Sequence, residues 1–237
     1  MLNINATIPE ELALESKFNF RCYPGISCYK SCCKNIDIIL TPYDIIRLKN
    51  RFTISSSEFL MKYTYVFIDP KSGYPFVFLN KNNNEEKTCP FLVEVGCFIY
   101  EDRPATCRYY PLGKAFFKKL DITKNLTEEN YFFVREPHCK GFEKDKEWTV
   151  EEWRKDQGVD LYDDINRGWI ELLFPKKFKA EKLDDKKSKA FYMACYDIDT
   201  FRRFVFESRF LNVFEIPNYT LTKIKNDEVE LLSFAFD

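Results

Sequence analysis

Nine cysteines are placed along this chain in a way that constrains its fold more than any other feature. Cys22, Cys28, Cys32 and Cys33 share one short stretch, RCYPGISCYKSCCKN. Cys89, Cys97 and Cys107 share another, CPFLVEVGCFIYEDRPATCRYYP, and Cys139 follows His138. Only Cys195 stands apart, inside FYMACYD. Thiols gathered into clumps with long cysteine-free spans between them imply a fold that closes distant segments around one site. Cys195 by contrast reads as a small packing residue, since free cysteine is among the most buried residue types.

Compartment decides whether such thiols become disulfides or ligands. The opening MLNINATIPEELALESKFNF lacks the basic and apolar regions of a secretory leader. No apolar run reaches the length of about 18 residues that suggests a membrane helix. The expected location is therefore cytoplasmic, with no membrane partner, reduced thiols, and cysteines acting as metal ligands. An odd number of cysteines also fits a disulfide framework poorly. A net charge of −1 gives no cationic excess for nucleic acid. With 24 Phe and 14 Tyr, the chain has material for an aromatic core that needs no covalent staples.

Local signals give the outline of an α+β chain. Ile36–Leu40 reads as a strand. Thr41-Pro42 has the chemistry of an N-cap and first helical residue, opening a helix over Pro42–Arg51. Ser55 and Glu58 have capping-box spacing, opening a helix from Ser56 to Tyr63. Tyr65–Asp69 and Pro75–Asn80 read as a β-hairpin, and Lys81–Lys87 as a polar loop. Leu112–Lys118 and Tyr131–Arg135 read as strands joined by the polar connector Thr123–Glu129. Thr149 and Glu152 open a helix that ends at Gly158, and Asp160–Phe174 continues at helical spacing until Pro175. Lys176–Lys189 reads as a surface loop. Asp197–Phe210 and Asp227–Phe236 read as the last helices. The expected architecture is one domain over residues 1–237. Its cysteine-rich part covers about 18–145, with a small antiparallel sheet and loops around a cysteine-ligated metal site. Its helical part covers about 146–237.

Thiolates suit soft or borderline metals, and four of them satisfy one zinc ion or a [4Fe–4S] cluster. In extended chain the side chains of Cys32 and Cys33 would point to opposite sides, which favours different metal atoms of a cluster over one tetrahedral ion. Pro90 after Cys89 matches a step common beside cluster ligands. An iron–sulfur cluster is thus favoured, with zinc as the alternative. Arg103 and Arg108 flank Cys107 and are candidates to offset the charge of a bound cluster. Phe91, Phe98, Tyr100, Tyr109 and Tyr110 are candidates to shield it. His138, the lone histidine, is equally a ligand candidate or a loop residue.

The strings FRCYPGISCYKSCCKN, LTPYDIIRLKNR, CPFL, GCFIYEDRPATCRYYPLG and HCKGF resemble the YkgJ-type cysteine-cluster proteins. That family is described as zinc- or iron-chelating and is related to a domain of flagellin lysine N-methylases. The later EWTVEEWRKDQGVDLYDDINRGW and FYMACYDIDTFRRFVFES are similar to a long-form subgroup. The resemblance implies eight metal-ligating cysteines: Cys22, Cys28, Cys32, Cys33, Cys89, Cys97, Cys107 and Cys139. The family pattern is C-x₃-C-x₂-C-C, whereas here five residues separate Cys22 from Cys28 and three separate Cys28 from Cys32. Three functions follow as expectations. The first is a metal- or cluster-binding protein with a redox, structural or metal-handling role. The second is a lysine methyltransferase using S-adenosylmethionine on a protein substrate. Against it, the chain has seven glycines and no G-x-G after a strand. The third is a zinc-stabilised interaction module with a protein partner.

Overall fold

The computed structural model describes residues 11–115, 130–174 and 182–237. In chain order the elements are β1 (Lys17–Asn19), β2 (Ile39–Leu40), α1 (Pro42–Phe52), α2 (Ser56–Tyr63), β3 (Thr64–Ile68) and β4 (Pro75–Leu79). There follow β5 (Leu92–Val93), β6 (Gly96–Cys97), α3 (Ala105–Tyr109), β7 (Leu112–Ala115), β8 (Asn130–Phe133) and β9 (Glu147–Thr149). The rest is helical: α4 (Val150–Gln157), α5 (Val159–Leu173), α6 (Asp185–Cys195), α7 (Ile198–Glu207), α8 (Phe210–Val213), α9 (Asn218–Asn226) and α10 (Glu228–Phe236). The class is mixed α+β, with small antiparallel sheets and a helical C-terminal part. The chain forms two compact units, one of Met1–Lys34 with Thr106–Asp160, the other of Asn35–Ala105 with Leu161–Asp237.

The first unit is built on pairings between distant segments. β1 lies antiparallel to β9 with Phe18 opposite Trp148, and β7 lies antiparallel to β8. Phe18, Phe20, Leu112, Tyr131, Val150 and Trp153 form its core. The Trp153 ring meets Phe20 edge-on at 5.4 Å and Phe18 at 6.1 Å. Burying each such aromatic contributes on the order of 1.5–3 kcal/mol, so this small unit rests heavily on three rings. α4 begins where its capping box dictates. The Thr149 side chain accepts from the Glu152 amide at 3.1 Å, and the Glu152 carboxylate accepts from the Thr149 amide at 2.8 Å. It ends at Gly158, whose φ of 65° is left-handed and suits glycine.

The second unit holds the three-stranded sheet β2–β4–β3 and most of the helices. α1 starts at the expected cap: the Thr41 side chain accepts from the Asp44 amide, and the Asp44 carboxylate from the Thr41 amide at 2.7 Å. α2 covers the expected residues, with the Ser55 hydroxyl accepting from the Glu58 amide. Tyr43, Ile46, Tyr162, Ile198, Val205 and Leu231 belong to its core. The hairpin β3–β4 forms as expected, with Tyr65 opposite Phe78 and their rings stacked at 5.4 Å.

Three expectations change. The loop expected over Lys176–Lys189 gives way to α6 from Asp185, capped by the Asp184 carboxylate on the Lys187 amide at 2.8 Å; residues 176–181 lie outside the described residues. The polar opening DKKSK shows no apolar face, which is why the helix is silent in the sequence. The helix expected over Asp197–Phe210 divides into α7 and α8. Ser208 makes the break by donating to the Phe204 carbonyl and accepting from the Phe210 amide. α9 forms where the sequence signals above give no element. Thr123–Glu129 and Pro175 also lie outside the described residues, as does the end of the strand expected over Leu112–Lys118.

Candidate metal centre

The loop bearing the upstream cysteines is held in place by the segment around Cys139. Beyond β1, the Phe20 amide donates to the Lys146 carbonyl at 2.9 Å and the Arg21 amide to the Gly141 carbonyl at 3.1 Å. The Trp148 indole returns a hydrogen bond to the Phe20 carbonyl at 2.9 Å. This pairing draws residues 20–22 alongside 139–141. Gly141 is required by the close approach, since a Cβ there would stand 2.4 Å from the Phe20 ring. A larger residue would push the two cysteine-bearing segments apart.

After Cys22 the chain coils through consecutive turns. Gly25 takes φ of 102°, which side chains rarely adopt. The Tyr29 amide bonds the Ile26 carbonyl at 2.9 Å, and the Ser31 amide the Cys28 carbonyl at 3.0 Å. A single 3-10 turn then spans Ser31–Cys33, entered through Lys30 in the left-handed region. The effect is to wind Cys28, Cys32 and Cys33 into a small volume.

The sulfurs interact. The backbone amide of Lys140 donates to Cys28 Sγ at 3.2 Å, tying the loop to the residue after Cys139. The Cys33 thiol hydrogen-bonds the Cys32 sulfur, and this lowers Cys32 to about 7 against the opposing effect of burial. Thiolate is the form that binds metal. Cys22 is exposed as a residue, yet partial burial of its thiol raises it to about 11, helped by the thiols of Cys32, Cys28 and Cys139. Cys22, Cys28, Cys32, Cys33 and Cys139 thus form one electrostatically connected group. Cys32 and Cys33 lie in a 3-10 turn and not in extended chain, so the opposed side chains expected of extended backbone do not follow here.

The Tyr110 hydroxyl is buried without a hydrogen-bond partner in good geometry. Burial, then interaction with the Cys139 thiol, pushes its ionisation well above the ordinary tyrosine value, so it stays protonated. It is therefore an O–H donor beside a sulfur that carries negative charge once metallated.

The remaining candidates are distributed as follows. Cys107 sits half-buried in α3. Cys89 and Cys97 belong to the second unit, Cys97 on β6 and Cys89 just before β5. Cys195 is 2% exposed in α6, and burial raises its thiol far above the usual value, as a packing residue requires. Arg103 is buried, donates to the Tyr100 carbonyl at 2.7 Å and lies 4.0 Å over that ring. Arg108 donates to the Gln157 carbonyl at 2.8 Å. Phe91 and Tyr109 are buried, whereas Phe98 and Tyr100 are more than half exposed and His138 is exposed. The Lys140–Cys28 bond and the orphaned Tyr110 hydroxyl carried no sequence signal, because both depend on pairing across more than a hundred residues in one case and on burial in the other.

In kind, this donor set fits zinc or iron: thiols in number, an amide donor to sulfur, and a spare hydroxyl donor. In arrangement, no three Cys, His, Asp or Glu side chains among the described residues are placed to hold one metal ion. The thiols are gathered but not closed.

A mixed α+β chain whose distant segments converge to collect cysteines defines a cysteine-cluster protein, a class that chelates zinc or iron. The family described as "CxxCxxCC: Putative zinc- or iron-chelating domain" matches residues 21–147, just over half of the chain, and this protein belongs to that family. No curated protein and no solved structure matches it. Among the described residues no helix is long and apolar enough to cross a membrane.

Proposed function

We propose that this protein holds an iron–sulfur cluster, of the [4Fe–4S] type, on thiolates of the group Cys22, Cys28, Cys32, Cys33 and Cys139. The observation that carries the reading is that five thiols lie in one unit, Cys22 influenced by Cys28, Cys32 and Cys139, Cys33 bonded to Cys32, and Cys28 tied by its sulfur to the Lys140 amide at 3.2 Å. Four thiolates satisfy one zinc ion or one [4Fe–4S] cluster alike, and the cluster is preferred because Pro90 directly follows Cys89, a step common beside cluster ligands. The inclusion of Cys89, Cys97 and Cys107 rests on the sequence motif. Bound, the cluster would supply one-electron chemistry or a structural cross-link. The protein's part is to present thiolates, donate the Lys140 amide to Cys28, and keep the Tyr110 hydroxyl protonated beside Cys139. Loading requires the sulfurs to reorient, because they are not arranged around an ion beforehand.

One observation favours the second reading, a structural zinc site. Cys32 and Cys33 lie in a 3-10 turn and not in extended chain, and this weakens the argument against their sharing an ion. Protein purified without oxygen distinguishes the two readings by iron, zinc and acid-labile sulfide content with the visible spectrum. Iron and sulfide in equal amounts with a brown colour support the cluster. Colourless protein with stoichiometric zinc supports the second reading, and metal-free protein that takes up neither overturns both.

A further inference from the structure

The three-stranded sheet of the second unit ends at β3, and among the described residues this edge is not protected in any of the usual ways. Proteins blunt exposed edges with lysine, proline, bulges or very short strands. β3 reads TYVFI: five residues, with neither charge nor proline and no bulge in its pairing with β4. Tyr65 and Val66 are each 42% exposed, Phe67 49% and Ile68 57%. Both faces of the strand are therefore open, and Met61 on the adjoining α2 extends the apolar surface.

The hydrogen-bond phase of the edge follows from its neighbours. The Asn80 amide bonds the Tyr63 carbonyl at 2.8 Å and the Asp69 amide bonds the Tyr74 carbonyl at 3.0 Å. Alternation along the strand then turns Tyr65 and Phe67 towards β4 and leaves the backbone groups of Val66 and Ile68 facing outward. Such a row is a template for one more strand.

We propose that the occupant is β3 of a second copy of this chain, paired antiparallel about Val66. In that register the outward groups of the two Val66 residues bond each other, and each Ile68 amide reaches the Thr64 carbonyl opposite. Tyr65 stands across from Phe67 on both sides of the two-fold axis. This continues the aromatic pairs that already run across the sheet from Tyr65 to Phe78 and from Phe67 to Phe76; such cross-strand pairs are favourable. Charge selects the same arrangement. Lys62 lies at one end of the strand, and Asp69 lies at the other, held as an anion by the Ser72 hydroxyl and amide. An antiparallel copy sets cation near anion at both ends, whereas a parallel copy sets like beside like. The product is one continuous six-stranded sheet, β2–β4–β3 followed by its mirror order.

Light scattering and sedimentation of the full metal-loaded protein in reducing buffer test this, with disulfide cross-linking kept out. The mass should rise from 28.4 kDa towards twice that value with concentration, over a range on the order of 1–300 μM expected of a small interface. The Val66 and Ile68 amides should gain hydrogen-exchange protection over the same range. Phe67→Lys adds charge to the exposed face, and Ile68→Pro removes an outward donor without touching the bonds to β4. Each should raise the midpoint concentration at least about tenfold while circular dichroism and metal content stay unchanged. A mass that stays at one chain at every concentration overturns the proposal, whether the edge is bare or meets a different protein. A dimer that persists unchanged in both variants overturns it too, by placing the contact on another face.

Discussion

The buried carboxylate of Asp44 accepts the backbone amide of Ala105 at 2.9 Å, joining the first turn of α1 to the first residue of α3. Its other oxygen accepts the Thr41 amide at 2.7 Å. One side chain thus closes the capping box of α1 and satisfies the residue from which the chain runs into Cys107.

Asp44→Ala leaves both amides without their partner, and each orphaned buried donor costs about 1–3 kcal/mol. We expect urea denaturation to show a loss of about 2–4 kcal/mol. Asp44→Asn keeps the shape but can accept on one atom only, so it should lose roughly half as much. A loss no larger than that of an exposed carboxylate on the same helix would show that the cross-link is idle.

Asp199 gives the second unit an acid-sensitive contact. Burial works against its charge. The Ser56 amide at 2.7 Å and the Lys49 ammonium at 3.3 Å outweigh burial and hold it below the ordinary carboxylate value of 3.8. A carboxylate lowered in the folded state stabilises above its unfolded value, and that contribution fades as pH falls through the folded one. Asp199→Asn should therefore cost about 1–3 kcal/mol at pH 7. Its gap from the parent protein should narrow below pH 4, when both are unfolded by urea across a pH series. A gap constant with pH would remove the charge from the explanation.

What the sequence disclosed follows from where the information sits. Thr41, Pro42, Ser55, Thr149 and Gly158 act on neighbours within a turn, and the starts of α1, α2 and α4 and the end of α4 are legible from them alone. α6 opens on DKKSK, which shows no face, and its apolar residues come only in the last two turns. The pairing of Lys17 with Thr149 depends on segments far apart in the chain, and no local period encodes it. For the site, the clumping of cysteines pointed to metal chemistry and the family is in agreement. The opposed side chains expected of Cys32 and Cys33 presuppose extended chain, and the 3-10 turn over Ser31–Cys33 is not legible from that stretch alone. Cys195 was legible as a packing thiol from its apolar surroundings, and it is fully buried.

That contrast gives a paired test. Cys139→Ser should leave thermal stability of the metal-free chain nearly unchanged and lower bound metal at least about tenfold in competition with a chelator. Cys195→Ser should retain full metal and lose about 1–3 kcal/mol, because it puts a hydroxyl where burial offers it no partner. Metal content that falls equally in both variants would show that folding, rather than ligation, governs loading.

Tyr110 separates the metal-free from the loaded protein most directly. Its hydroxyl is buried beside the Cys139 thiol without a hydrogen bond in good geometry, so Tyr110→Phe removes a polar group that is poorly satisfied as the chain stands. In the metal-free protein the variant should be neutral or gain up to about 1 kcal/mol. Loading reverses the sign. A metallated Cys139 carries negative charge, and the hydroxyl beside it is the donor that relieves that charge. Tyr110→Phe should then release metal to a chelator about tenfold more readily and, if a cluster is bound, shift its reduction potential downward, because a donor to sulfur stabilises the more negative reduced state. Equal behaviour of the variant and the parent protein in both states would mean that the ring packs and the hydroxyl is a bystander. Destabilisation in both states would mean that the hydroxyl finds a partner even without metal.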